Sequence, residues 1–122
     1  MARTAAEMVA EAKSKVRTIT PEEVSRMDNV LVVDVRDAPE VAASGKVPGA
    51  VHVPRGMLEF RADPTSPYHD KNFDPARPVV LYCASGGRSA LAGAMLQEMG
   101  YTDVRNMGGF KEWSEKGLPI ET

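Results

Sequence analysis

The chain has 122 residues, 43% hydrophobic and 26% charged, with a formal net charge of −2, which makes one globular domain able to bury about two-thirds of the surface its unfolded form exposes. So weak an acidity gives no footing for nucleic acid or an acidic membrane, and no apolar run approaches the roughly 18 residues of a membrane span. A single cysteine excludes an internal disulfide, and one Cys with His52 and His69 at these spacings makes no metal set.

Glu7 and Glu11 stand where an export signal would need an apolar centre, so no such signal is expected. Residues 3–16 instead place Ala5, Met8, Val9, Ala12 and Val16 on one side at helical spacing. We read residues 1–16 as an amphipathic helix laid over the rest, and residues 17–122 as the domain proper. Thr18-Ile19-Thr20 is a short strand. Thr20 then caps a helix with Pro21 at its first position and Glu22 and Glu23 in its first turn; it runs to Met27, and Asp28-Asn29 turns the chain.

Val30 to Val35 is an apolar run, consistent with a strand covered on both faces, and it ends in Asp34-Val35-Arg36-Asp37. Asp34 is either a catalytic carboxylate or an anchor for loop N–H groups or an arginine; a strand-end Asp is well placed for the second. Ala38 to Ser44 forms a short helix closed by Gly45, Pro48-Gly49 a turn, and Ala50 to Val53 a third strand. A helix is expected over Pro54 to Arg61. Arg55, just after the third strand, is a candidate substrate contact as a second cation, or else a solvated surface arginine with Glu59 as its partner. Residues 62–78 are a loop punctuated by Asp63-Pro64, Ser66-Pro67, Asp74-Pro75 and Arg77-Pro78, in which Tyr68 and His69 either line the site or pack the loop down.

Val79 to Tyr82 reads as a buried strand that delivers Cys83 at its carboxyl end. A Gly-rich loop follows, and a helical pattern begins at Ser89. A thiol facing a helix N-terminus is favoured as thiolate, because unsatisfied N–H groups and the helix dipole point at it. Gly86 and Gly87 can turn loop N–H groups inward, and Arg88 adds a planar cation, so Ala84 to Ser89 form an anion-binding cup with a nucleophilic sulfur at its base. Leu91, Ala94, Met95 and Met99 continue the helix to Gly100. Asp103 to Asn106 is a fifth strand, Gly108-Gly109 a turn, and Phe110 to Lys116 a last helix anchored by Trp113. Strands alternating with helices make an α/β domain with a mostly parallel sheet, whose ligands sit beyond the carboxyl ends of the strands.

The run Cys83-Ala84-Ser85-Gly86-Gly87-Arg88-Ser89 resembles the active loop of the rhodanese-like family of sulfurtransferases. Two further blocks agree: Val33-Asp34-Val35-Arg36 with Gly45-Lys46-Val47-Pro48-Gly49-Ala50, and Gly100-Tyr101 through Gly108-Gly109-Phe110, Trp113 and Gly117-Leu118-Pro119-Ile120. The resemblance spans residues 17–121. It implies a three-layer α/β/α domain with about five strands and a structural, supporting role for Asp34 and Arg36. Lys46 departs from the family, which usually has His there, and this bears on loop packing more than on activity.

The resemblance further implies a double displacement in which Cys83 takes a sulfane sulfur from a donor such as thiosulfate, becomes a persulfide and passes the sulfur to a thiol or cyanide acceptor, a protein thiol included. No metal or organic cofactor is required, and no nucleic acid or membrane partner is expected. A free thiol that must stay reduced fits the cytoplasm. The rivals are a Cys-based phosphatase or arsenate reductase, and a non-catalytic rhodanese-like module that only binds partners. The phosphatase cradle separates Cys from Arg by five residues, whereas four separate Cys83 from Arg88. Such binding modules commonly lack the Cys.

Overall fold

The computed structural model describes residues 2–122. Its middle strand, β4 (Val79–Cys83), is buried at every position. Around it the strands run in the order β1 (Arg17–Thr18), β5 (Val104–Gly109), β4, β2 (Leu31–Asp34) and β3 (Val51–His52), all paired in parallel. Side chains alternate across a strand, so the five apolar residues of β4 serve two cores at once. Val79, Leu81 and Cys83 pack with Val33, Val35, Leu58 and Leu96 on one face. Val80 and Tyr82 pack with Val24, Met107, Phe110 and Trp113 on the other. That is why the run reads as continuously apolar, and it gives the α/β/α sandwich that the sequence implies.

The first face is covered by α5 (Gly87–Glu98) and α4 (Leu58–Ala62), with α1 (Ala5–Lys15) against α5. A Cβ built on Gly93 of α5 would lie 2.9 Å from Val16 Cγ1, so α1 leads into close packing there. Gln97 Nε2 also donates to Lys15 O at 3.1 Å. Met8 stays about half exposed, and the apolar side of α1 is only partly used. The second face is covered by α2 (Pro21–Ser25) and α6 (Phe110–Glu115). Thr20 and Glu23 close a reciprocal capping box at the start of α2, as the Thr-Pro-Glu-Glu order leads one to expect. A further helix, α3 (Ala38–Ser44), buries none of its residues and ends at Gly45. Among the described residues no helix is long and apolar enough to cross a membrane.

Three local expectations are corrected. The helix after Cys83 begins at Gly87 rather than Ser89, because Gly86 at φ 105° turns the chain and its carbonyl accepts the Ala90 N–H at 3.1 Å. Pro54 to Arg61 divides into one 3₁₀ turn, Arg55–Met57, and the short helix α4. Gly108-Gly109 is not a free turn but the end of β5, where Tyr82 pairs with Gly108 and Cys83 with Gly109. Leu81 pairs with Asn106, so Met107 is the extra residue of a bulge that bends β5 towards the cysteine loop.

The loop over residues 62–78 is tied down from within. Asp63, Asp70 and Asp74 each accept the N–H two residues ahead. Phe73 is buried edge-on against Tyr101, whose hydroxyl donates to Ala62 O at 2.9 Å. Lys46, the departure from the family pattern, binds Ala50 O at 2.8 Å and pairs with Glu121 at 2.9 Å, which ties the carboxyl-terminal residues to the segment between α3 and β3.

The close approach of β5 to the cysteine loop rests on a missing side chain. A Cβ on Gly109 would overlap the Ala84 carbonyl oxygen and crowd Ser85 Cα at 3.2 Å. Gly109→Ala is therefore expected to cost roughly 1–3 kcal/mol in denaturant unfolding. Gly56→Ala, where nothing lies within 4 Å, should stay within about 0.5 kcal/mol.

Candidate active site

Parallel pairing puts the ends of β2, β4 and β5 at one edge of the sheet, and Cys83 ends β4 there with its side chain buried. The backbone climbs out through exposed Ala84 and Ser85 and returns at Gly86 to start α5. The left-handed Gly86 aims its own N–H back at the sulfur, 3.0 Å from Cys83 Sγ. Ser89, one turn into α5, brings its hydroxyl to 3.4 Å from the same atom. Burial pushes the Cys83 thiol up. The Ser89 hydroxyl and the backbone N–H groups of Ser89, Gly86 and Ser85 outweigh it, and the net shift is below the ordinary thiol value. The sequence expects the cup to run from Ala84 to Ser89; the donors bearing on the sulfur belong to Ser85, Gly86 and Ser89.

The Ser89 hydroxyl has one proton and two acceptors, Cys83 Sγ and Asn106 Oδ1, the latter at 2.7 Å. With Cys83 protonated, the S–H can donate to Ser89 and Ser89 to Asn106. Once Cys83 ionises, the hydroxyl can turn to the sulfur, and Asn106 Oδ1 keeps the Gly108 N–H at 2.9 Å. Asn106 Nδ2 also donates to Gly86 O at 3.3 Å, so one buried carboxamide joins β5, the loop and the first turn of α5. Sequence reasoning passes over Asn106. Its one signal is a polar residue inside a buried strand, which must find partners there.

Arg88 does not turn into the cup. Its two terminal nitrogens lie 2.7 and 2.9 Å from the carboxylate oxygens of Glu40, a bidentate pair that joins α5 to the first turn of α3. Glu40 Oε1 also accepts the Asp37 N–H at 3.1 Å. Chiefly through the Arg88 hydrogen bonds, the Glu40 carboxyl is held down at about 2. Arg88 is correspondingly raised, first by Glu40, with the Cys83 charge contributing. The expectation that Arg88 completes the cup is corrected to this extent: its charge is near the sulfur, but its fork is occupied. Nothing in the sequence marks Glu40 for this, since 48 residues separate the two.

Asp34 and Arg36 form a buried pair beside the site. Arg36 donates to Asp34 at 2.7, 3.0 and 3.1 Å, to Ser44 Oγ at 2.8 Å and to Gly45 O at 2.7 Å. Its guanidinium lies 4.4 Å over the Phe110 ring, and its own carbonyl bonds His52 Nε2 at 2.7 Å. Asp34 also accepts the Arg36 N–H at 3.0 Å. A carboxylate so engaged holds loops rather than moving protons. Arg55 pairs with Glu59 at 2.9 Å and lines a groove with Leu91 and Met95, between α1 and α5. Tyr68 lies edge-on to Phe60 of α4, and His69 Nε2 contacts Phe73 O at 3.3 Å within their own loop. Two shallow clefts flank the cup, one beside Ala84, Arg36 and Phe110, the other beside Ser85, Gly86 and Asn106.

Comparison with known proteins places these residues in a recurring context. The model of the rhodanese-like domain family matches residues 20–116. A sulfurtransferase of Allochromatium vinosum is 37% identical over 94 residues, 76% of this chain and 79% of that protein. The thiosulfate sulfurtransferase GlpE of Actinobacillus succinogenes is 34% identical over 109 residues, 85% of this chain and 89% of that one. A structure from Rhodopseudomonas palustris, RPA3614, described as of unknown function and a possible tyrosine phosphatase, superposes with a TM-score of 0.92 at 41% identity, over 99% of this chain and 96% of that one.

The donors around Cys83 set a pH dependence. A thiol lowered on folding adds stability above its unfolded pKa, and that stability is lost as pH falls through the folded one. Ser89→Ala removes the strongest of the lowering contacts. The midpoint of Cys83 alkylation by iodoacetamide should then move up by about one pH unit, some 1.4 kcal/mol, whereas Ser89→Thr should keep most of the wild-type profile. An unmoved midpoint in Ser89→Ala would remove the hydroxyl from the site's electrostatics.

Proposed function

The chain belongs to the rhodanese-like family, and from that we propose that it is a sulfurtransferase that carries sulfane sulfur on Cys83, with thiosulfate as donor. In the first step the Cys83 thiolate attacks the outer sulfur of thiosulfate. A new S–S bond forms as the old one breaks, and sulfite leaves with the electron pair. Cys83 becomes a persulfide. In the second step a cyanide or thiolate acceptor attacks the outer sulfur and the Cys83 thiolate leaves. Neither step moves a proton, so no histidine need adjoin the cysteine.

One observation carries this reading: the Cys83 sulfur sits under N–H groups of Ser85, Gly86 and Ser89 at the head of α5 and is held below the ordinary thiol value. The same donors suit the terminal sulfur of a persulfide, an anion displaced by one bond length along the same axis. The names of the two sulfurtransferases agree with it. Against a purely binding role stands a thiol that the fold both buries and activates. A reducing compartment, the cytoplasm by preference, would keep that thiol free between turnovers.

The phosphatase description of the palustris neighbour supplies the second reading. A transferred phosphoryl group has three outer oxygens, each needing a donor, and the phosphatase cradle gives them a longer loop and a free guanidinium. Here four residues separate Cys83 from Arg88, and the guanidinium is occupied by Glu40. A single pendant sulfur fits that enclosure better.

Cys83→Ser should leave the fold intact and abolish thiocyanate formation from thiosulfate and cyanide. Wild type incubated with thiosulfate alone should gain one sulfur atom by intact mass, and the variant none. Substantial transfer by Cys83→Ser would sink the mechanism. Loop length gives an independent check: inserting one glycine after Gly86 should sharply lower sulfur transfer and raise affinity for phosphate, arsenate or vanadate. If the wild type hydrolyses an aryl phosphate faster than it forms thiocyanate, the phosphatase reading takes over.

A further inference from the structure

Both arginines beside the cup are matched by a carboxylate, Arg36 by Asp34 and Arg88 by Glu40. Asp37, at the start of α3, adds a negative charge that reaches Arg88. Neither arginine therefore offers an unpaired charge to the sulfur, although the site must admit an anion; Lys111 lines the cleft beside Ala84, and Glu115 lines the same cleft. What bears on the sulfur itself are neutral N–H donors and the end of α5, and these converge on one atom. A dianion such as thiosulfate or phosphate carries most of its charge on oxygens beyond that atom.

We propose that Glu40 is a specificity-determining residue of this site, neutralising Arg88 and so weakening the cup's hold on dianions relative to singly charged and neutral partners. The proposal deepens the sulfurtransferase reading, on which its thiosulfate arm rests. Two features fit Glu40 for the task. Its carboxylate is fixed at both ends, by Arg88 on two oxygens and by the Asp37 N–H, so it cannot swing away to leave Arg88 free without breaking a helix cap. Arg88 in turn responds to the charge on Cys83, so whatever offsets Arg88 is felt at the sulfur. The pair is about one-third exposed on each side, which keeps the effect to a few-fold.

Glu40→Gln tests this directly, because the amide oxygen can still accept the Asp37 N–H while the charge is gone. Cys83 is alkylated in parallel by iodoacetate, an anion, and by iodoacetamide, its neutral counterpart, at one pH and low salt. Both react with the thiolate, so the ratio of the two rates cancels any change in thiolate fraction and reads the local potential alone. The iodoacetate-to-iodoacetamide ratio should rise roughly three-fold in Glu40→Gln and return towards wild type at high salt. The KM for thiosulfate should fall by a similar factor with kcat little changed. Arg88→Met, which leaves Glu40 uncompensated, should push the ratio below wild type. An unchanged ratio in a folded Glu40→Gln overturns the proposal, as does a raised ratio with an unchanged KM in an enzyme that transfers sulfur. If Glu40→Gln does not fold, the Arg88→Met ratio decides, and no change there also overturns it. A raised ratio in a protein whose wild type forms no thiocyanate would leave the charge role standing and remove the sulfurtransferase reading instead.

Discussion

A sulfur atom shut away from water can carry a negative charge only where fixed donors replace the water it has lost. That requirement organises this molecule. Cys83 is buried because β4 is the central strand, and it is activated because β4 ends where α5 begins. The donors then have to be brought within reach. Gly86 does so by adopting a left-handed conformation, Ser89 by lying one turn into the helix, and Asn106 by pinning both to β5. Gly109 allows β5 to come close enough, since any side chain there would strike Ala84. A bulge at Met107 supplies the bend.

The charges around this centre follow the same economy. Arg36 is enclosed by Asp34, Ser44 and Gly45 and lies over Phe110, so it braces the ends of β2 and α3 rather than meeting a ligand. Arg88 braces α5 against α3 through Glu40. In the proposed double displacement a thiolate is exchanged for a persulfide of the same charge. A pocket tuned to one negative charge on sulfur would therefore serve both halves of that cycle.

The sheet was legible in the sequence because buried parallel strands announce themselves as apolar runs, and β2 and β4 are such runs. The cysteine loop was legible because strand, Cys, two glycines, Arg and helix fall together in the chain. What escaped has a common cause. Gly108-Gly109 looks like a turn by composition, and only the packing of β5 against Ala84 shows that the glycines serve close approach within a strand. Asn106 and Glu40 act on the site from other elements, and pairing across 20 or 48 residues leaves no local pattern. The direction of the Arg88 side chain depends on Glu40, which no local pattern in the sequence links to it. The sequence sets Ser89 in the loop, but its part in a proton choice between Cys83 and Asn106 depends on how β5 packs against α5.

In the sulfurtransferase reading, backbone and hydroxyl donors, not the Arg88 guanidinium, hold the reacting sulfur. This is tested most directly by a crystal structure of the wild-type chain soaked in thiosulfate. The expected result is one additional sulfur atom bonded to Cys83 Sγ, within hydrogen-bonding reach of the Ser85, Gly86 and Ser89 donors, with Arg88 still forked onto Glu40. An intact oxyanion bound in the loop, with Arg88 swung off Glu40 to grip its oxygens and no sulfur on Cys83, would contradict it.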